Sequence, residues 1–134
     1  MTPFPGLPVT VMSSHIDMFG HVNHTRYLEF MEWARFAWAA HHGVPLPELI
    51  RDQGIGPAII RANLTFRREC RLGDTLLVTA RATRARRSIG HVHQDITDTR
   101  TGDLVCEGDL TFVMLDLATR KAAPLPSFFV DQIP

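Results

Sequence analysis

The chain has 134 residues, zero formal net charge at neutral pH, and hydrophobic side chains at 45% of its positions. That length fits a single domain with one core. A neutral chain has no overall attraction to nucleic acid or to an anionic membrane. No apolar run approaches the roughly 18 residues of a membrane span, and residues 1–6 lack the basic region and apolar core of a signal peptide. We therefore expect one cytoplasmic domain over residues 1–134, with no nucleic-acid or membrane partner.

The first half of the chain predicts an arm, a short strand and one long helix. Three prolines in residues 1–8 favour an irregular arm, and the alternation of residues 9–12 predicts a strand. Over residues 25–42 apolar side chains recur at three- and four-residue steps, as on one helix face. These side chains are Tyr27, Phe30, Met31, Ala34, Ala37, Trp38 and His41. Gly43 and Pro45 are placed to end the helix, and residues 46–53 predict a short helical turn.

After Pro57 the apolar period changes from 3.6 residues to 2, which predicts β-strands. The first strand would place Ile60, Ala62, Leu64 and Phe66 on one face. Further strands are predicted over residues 76–83, 88–98 and 104–114, and the short turns between them indicate an antiparallel meander. Each strand has an apolar face, and only the long helix is long enough to cover the sheet. The sequence thus predicts an α+β fold, with a sheet of about five strands around one helix.

The segment from Asp17 to Tyr27 joins a carboxylate-bearing turn directly to the start of the long helix. Gly20 suits a tight turn, and Asn23 suits a helix cap, because its side-chain oxygen can accept a free N–H of the first turn. That first turn also presents unpaired amides at the positive end of the helix dipole. A carboxylate beside such amides suits a reaction in which negative charge develops on a carbonyl oxygen. The alternative is that Asp17 only caps the turn.

The run Asp17-x-x-Gly20-His21-Val22-Asn23-His24-x-x-Tyr27-x-x-Phe30-x-Glu32 resembles the signature of the hotdog acyl-CoA thioesterases related to 4-hydroxybenzoyl-CoA thioesterase. The bacterial long-chain acyl-CoA thioesterases of that group look most similar. The resemblance implies a hotdog fold and hydrolysis of a fatty or aromatic acyl-CoA to free acid and CoA, with no cofactor. Other hotdog proteins are dehydratases, hydratases or non-catalytic binders of acyl thioesters, so these functions remain alternatives.

The same resemblance implies roles for individual residues. Asp17 would attack the thioester carbonyl or activate a water that does so, and the backbone N–H of His24 would polarise the carbonyl oxygen. The His24 side chain either lies near the thioester or is a solvated residue of the first helical turn. The acyl pocket would be lined by Tyr27 and Met31 of the helix and by Ile60 and Arg61 of a partner strand. Another hotdog branch uses a helix carboxylate, which leaves Glu29 and Glu32 as secondary candidates.

Two groups of arginines could bind the coenzyme A phosphates, which favour bidentate guanidinium contacts. Arg86 and Arg87 are the leading candidates, and Arg67 and Arg71 are the alternative. Charged strand ends also occur for solubility alone, so neither group is assigned by its charge.

A metal site is the remaining alternative, because the chain contains seven histidines. His91 and His93 would share one strand face, yet no histidine or cysteine spacing matches a zinc pattern. Cys70 and Cys106 also lack a redox spacing and are expected to be reduced thiols in or near the core. We therefore expect no metal.

The long helix has more apolar side chains than one sheet can cover. Leu28, Trp33 and Phe36 lie outside its apolar stripe. We expect at least a homodimer, and the resemblance implies that two sheets pair edge to edge, commonly within a dimer of dimers.

Overall fold

The computed structural model describes residues 2–134, which form one antiparallel sheet and three helices. The strands are β1 (Leu7–Thr10), β2 (Ile55–Phe66), β3 (Thr75–Val78), β4 (Arg81–Arg86), β5 (Ile89–Asp98) and β6 (Leu104–Asp116). The helices are α1 (His24–His41), α2 (Leu46–Gln53) and α3 (Ser127–Asp131), and one 3-10 turn covers Ser13–His15. The strand order across the sheet is β1-β3-β5-β6-β2, with β4 also beside β5. The predicted α+β plan is confirmed, with six strand segments where about five were expected.

Helix α1 begins and ends at its capping residues. The side-chain oxygen of Asn23 accepts the Thr25 N–H at 3.0 Å, and Gly43 follows the helix with a φ of +83°. The stripe that packs against the sheet is buried at Tyr27, Phe30, Met31, Ala34 and Trp38. The prediction is wrong at the last turn, where His41 is exposed and His42 is buried, because Phe128 of α3 stacks on the His42 ring at 5.6 Å.

The N-terminal arm is shorter than the predicted residues 1–8, because β1 already includes Leu7 and Pro8. Met1 lies outside the described residues. Strand β1 is at the edge of the sheet and pairs only with β3. A proline is tolerated there because no strand on the outer side needs its missing N–H.

Strand β2 runs beside β6 and carries a bulge that changes which side chains face the core. Ile59 lies opposite Phe112 and Arg61 lies opposite Thr111, so Ile60 is the extra residue. The residues that share the inner face of the sheet with the inward-facing residues of β6 are therefore Pro57, Ile59, Ala62, Leu64 and Phe66. The prediction that Ile60 shares this face is wrong, because a bulge of one residue reverses the alternation on one side of it.

The predicted strand over residues 76–83 is divided into β3 and β4 by Thr79. Its N–H donates to the Asp95 carbonyl at 2.9 Å, and its hydroxyl accepts the Asp95 N–H at 3.0 Å. The Thr79 carbonyl accepts the buried side-chain amide of Gln94 at 3.1 Å. These bonds replace the regular ladder, so both strands pair with β5 across a local break.

Helix α3 covers the end of the core that lies near the C-terminus of α1. Phe129 is 1% exposed and meets the rings of Phe112 at 5.1 Å and Trp38 at 5.8 Å. Sequence patterning did not indicate this short helix.

Cys70 and Cys106 are free, buried thiols, as expected. No helix within residues 2–134 is both long enough and apolar enough to span a membrane.

Candidate active site

The Asp17 loop is a small hairpin held by its own backbone. Ile16 and Val22 form an isolated antiparallel bridge, and the Asp17 N–H donates to the His21 carbonyl at 3.0 Å. The Gly20 N–H donates back to the Asp17 carbonyl at 3.1 Å. Gly20 has a φ of +81°, a left-handed conformation that glycine adopts without the strain of a side chain. The predicted tight turn is confirmed, and it fixes the backbone of Asp17.

The carboxylate of Asp17 is half-buried and only partly engaged. One oxygen, Oδ1, accepts the Phe19 N–H at 2.9 Å in a local turn. Within residues 2–134 the other oxygen, Oδ2, has no hydrogen-bond or ion-pair partner. The residue therefore closes the turn through one oxygen and leaves the second available as a base or nucleophile.

Backbone hydrogen bonds attach this loop to the start of α1. The Asn23 N–H donates to the His15 carbonyl, and the Val22 N–H donates to the Cys70 carbonyl, both at 2.9 Å. His24 is the first residue of α1 and its side chain is exposed. Across the described chain no backbone acceptor engages the His24 N–H. An unengaged, fixed amide at a helix start is suited to stabilise a developing negative charge.

His21 in the same loop is held by a carboxylate that the sequence did not indicate. The His21 Nε2 lies 2.6 Å from Oε2 of Glu69, and Glu69 Oε1 lies 3.0 Å from the Arg71 guanidinium. The Arg71 hydrogen bond, with His21 nearby, lowers the pKa of the Glu69 carboxyl. Because the His21 carbonyl receives the Asp17 N–H, this cluster also restrains the Asp17 loop.

Tyr27 and Met31 lie in the core beneath the loop. Tyr27 is 4% exposed, and burial, reinforced by the neighbouring Cys70 thiol, raises the pKa of its phenol above the usual range. Met31 is 0% exposed, and its side chain packs so closely over Gly108 that a Cβ there would meet it at 3.1 Å. Phe66 covers Tyr27 with ring centroids 5.5 Å apart and is itself 49% exposed. Within one chain Tyr27 and Met31 are thus core residues.

Ile60 and Arg61 lie at the bulge of β2, and both side chains are exposed. Within residues 2–134, strand β2 is an edge strand whose one partner is β6. Its other edge is available for a second strand, and the expected edge-to-edge pairing of two sheets could use it.

The two arginine groups lie at opposite ends of the sheet. Arg86 and Arg87 form the β4–β5 turn, next to the start of β2. Arg67 and Arg71 follow the end of β2, on the side of the Asp17 loop. From Ala58, which is level with this turn, β2 continues for eight residues to Phe66, a separation of roughly 26 Å at the usual rise of a strand. Within one chain, only the second group is near Asp17.

The remaining candidates have structural partners. Among the described residues, no group of three or more His, Cys, Asp or Glu side chains has an arrangement that could hold a metal ion. His93 lies between Asp95 and Asp109, with each ring nitrogen 2.8 Å from a carboxylate oxygen. Glu29 pairs with Arg26 at 2.8 Å on the helix surface. His93 and Glu29 are therefore accounted for away from the Asp17 loop.

The fold and the loop define a class of protein. The model of the thioesterase-like superfamily matches residues 11–133, and the chain belongs to that family. Its architecture is the hotdog fold, as in Slr0204, a 1,4-dihydroxy-2-naphthoyl-CoA thioesterase from Synechocystis. That structure has a TM-score of 0.85 and 23% identity, with 95% of this chain and 93% of Slr0204 covered.

Two Escherichia coli comparisons are similar in sequence as well. The chain is 32% identical to the long-chain acyl-CoA thioesterase FadM over 117 residues, which are 87% of each chain. The crystal structure of YbaW, a probable thioesterase, is 30% identical with a TM-score of 0.77, covering 94% of this chain and 93% of YbaW. The predicted family is therefore confirmed.

Proposed function

We propose that this protein hydrolyses an acyl-CoA thioester to a free acid and CoA. The observation that carries the proposal is a half-buried Asp17 carboxylate with one oxygen unengaged, in a loop that leads directly into α1, where the His24 amide is also unengaged. The 32% identity to a long-chain acyl-CoA thioesterase supports the choice of acyl-CoA as substrate. We expect the reaction to take place in the cytoplasm and without a cofactor.

In the proposed reaction a nucleophilic oxygen adds to the thioester carbonyl carbon. That oxygen belongs to Asp17 itself or to a water that Asp17 deprotonates. The carbonyl electron pair moves onto oxygen, where the His24 N–H stabilises it. The C–S bond then breaks, and sulfur leaves with the bonding pair and takes up a proton as CoA thiol. If Asp17 attacked directly, a water would afterwards cleave the mixed anhydride.

A panel of acyl-CoA substrates, assayed by release of free thiol, tests the activity. We expect Asp17→Asn to lose roughly 10²-fold or more of kcat, because the amide is neither a base nor a nucleophile. An asparagine Oδ1 can still accept the Phe19 N–H, so the turn is retained. Asp116→Asn is the matched control, because Asp116 Oδ1 also closes an exposed turn, with Ala118 and Thr119. Near-wild-type hydrolysis by folded Asp17→Asn would refute this mechanism.

The same panel separates the alternative functions. Water addition to an enoyl-CoA without thiol release would identify a hydratase, and the reverse elimination a dehydratase. Saturable binding without either reaction would identify a non-catalytic acyl-thioester binder.

We propose that the active unit is a homodimer or a dimer of dimers, joined through the free edge of β2. Ile59 and Ile60 on this strand are 41% and 59% exposed. Leu28, Trp33 and Phe36 of α1 are each 40% exposed, as the sequence predicted for a helix with a second apolar contact. Burying these side chains favours association. Sedimentation of a stable 15.1 kDa monomer at micromolar concentration would contradict it.

In such a dimer we propose that the acyl chain lies above Tyr27 and Met31, beside Ile60 and Arg61 of the partner strand.

The position of the CoA phosphates is tested by comparing two double variants, Arg86→Ala/Arg87→Ala and Arg67→Ala/Arg71→Ala. Phosphate contacts act on binding, so replacing the pair that holds CoA should raise KM several-fold with little change in kcat. A short acyl thioester without the nucleotide should be unaffected by Arg86→Ala/Arg87→Ala.

A further inference from the structure

A cavity of about 150 Å³ lies at the far end of α1 from the Asp17 loop. It lies between α1, α2, α3 and the inner faces of β2, β5 and β6, and it opens to solvent past the exposed side chains of Phe36 and Ile59. Most of its wall is apolar, with Trp38, Ala39, Leu46, Phe112, Met114 and Phe129 among the lining residues. An apolar cavity of this size is large enough for one benzene ring.

The polar side chains of this cavity are Arg35 and Glu32. The Arg35 guanidinium donates to the Gln94 side-chain oxygen at 2.9 Å, and burial lowers the pKa of Arg35 despite the opposing influence of Glu32. Gln94 is 0% exposed and is itself held by the Met31 and Thr79 carbonyls, at 2.9 and 3.1 Å.

No carboxylate within residues 2–134 forms an ion pair with Arg35. Its hydrogen-bond partner is a neutral amide, while Glu32 remains more distant than an ion pair allows. A partly buried cation has lost much of its hydration. A bound anion therefore stabilises it more strongly than it would stabilise a cation in open solvent. The guanidinium fork matches a carboxylate in shape.

We propose that this cavity binds a small free carboxylic acid, with its carboxylate on Arg35 and its aromatic ring or short alkyl chain among the apolar side chains. Arg35 lies eleven residues after His24, which is about 16 Å along the helix axis. The acid therefore binds away from the thioester carbonyl of the same chain. The ligand belongs to the chemical class that thioester hydrolysis releases, but its binding here does not depend on that activity.

Titration of the tryptophan fluorescence with benzoate and benzamide tests the proposal, because Trp38, one of the two tryptophans, lines the cavity; a Trp33→Phe background makes Trp38 the reporter. The two probes share size and ring, so their affinity ratio measures the charge contact alone. We expect benzoate to bind at least about tenfold more tightly, the scale of a charge-assisted hydrogen bond over a neutral one. Hexanoate and hexanamide should show the same preference for the acid.

Three variants test the role of Arg35. Arg35→Met should abolish the acid preference, and Arg35→Lys, which keeps the charge, should retain part of it. Glu32→Gln, at an exposed position, should tighten benzoate binding because it removes a competing negative charge. Arg51→Gln is the matched control, since Arg51 is an exposed arginine on α2 that already pairs with Asp52 at 2.9 Å. It should change nothing.

Equal binding of benzoate and benzamide to the wild-type protein would overturn the proposal, as would the absence of saturable binding. Weaker benzoate binding by Glu32→Gln would also overturn it. These results leave the proposed hydrolysis untouched, because they are measured without a thioester.

Discussion

Replacing Gln94 with methionine should destabilise the protein more than most single core changes. Gln94 is fully buried on the inner face of β5, and its side chain joins α1 to the break between β3 and β4. Methionine has a similar shape and fills the same space, so the change removes hydrogen bonds with little loss of packing.

The magnitude follows from three lost interactions. Two are neutral hydrogen bonds, to the carbonyls of Met31 and Thr79, at about 1 kcal/mol each. The third accepts from the charged Arg35 guanidinium, and such bonds contribute about 1.5–3 kcal/mol. The expected loss is about 4 kcal/mol, a large part of the typical free energy of unfolding of about 5–15 kcal/mol.

Urea unfolding at one fixed protein concentration measures this loss, because an oligomer's stability depends on concentration. Arg35→Met and the double variant complete a thermodynamic cycle. If the cost of Gln94→Met includes an unpartnered Arg35, the double variant should lose about 1–2 kcal/mol less than the sum of the single losses. Additive losses, or a loss below about 1 kcal/mol for Gln94→Met, would refute the reasoning.

Three further predictions concern other parts of the fold. Asn23→Ala removes the α1 cap and should lower the free energy of unfolding in urea by about 1 kcal/mol. Asn23→Ser, whose hydroxyl can also cap the helix, should lose much less. Gly90→Ala should lower the free energy of unfolding by at least about 1–3 kcal/mol and lower the thermal midpoint, because the new Cβ would lie 2.5 Å from the Phe112 ring. Gly102→Ala is the control for backbone strain without a clash, because Gly102 has a positive φ and no atom within 4 Å of the new Cβ. Partial burial opposes protonation of His93, but its hydrogen bonds to Asp109 and Asp95 outweigh this and raise its pKa. The stabilisation of the fold by protonated His93 should therefore be complete below the pKa of about 6.5 that histidine has in the unfolded chain. It should be lost as pH rises through the higher pKa of His93 in the folded protein. Unfolding of wild type and His93→Gln between about pH 5 and 9 should show the difference shrinking as pH rises, and a constant difference would contradict the assignment.

The sequence predicted the Asp17 loop and α1 well because both are specified by neighbouring residues. A turn that needs a glycine, a cap that bonds two residues ahead, and a 3.6-residue apolar period are all local features. The helical turn over residues 46–53 and the last strand were predicted for the same reason, and the structure confirms both.

The errors arise where distant segments decide the local structure. The Ile60 bulge depends on the register between β2 and β6, which alternation within one strand does not specify. The break at Thr79 depends on Asp95 and Gln94, both on β5. Helix α3 is too short for periodicity to indicate it, and it forms because Phe129 is buried against Trp38 and Phe112.

The contrast between local and long-range determinants also applies to the two proposed sites on α1. The proposed active-site loop occupies one short stretch of sequence, Asp17 to Tyr27, so a motif is enough to indicate it. The cavity beside Arg35 requires side chains from three helices and three strands, and each apolar residue that lines it has the sequence pattern of an ordinary core residue. Arg35 distinguishes this cavity, because its half-buried charge has a neutral amide as its hydrogen-bond partner. Burying a charge without a counter-ion is unfavourable, and a bound anion would reduce that cost. A helix whose opposite ends meet different polar groups can therefore serve a reaction at its N-terminus and bind an acid near its C-terminus.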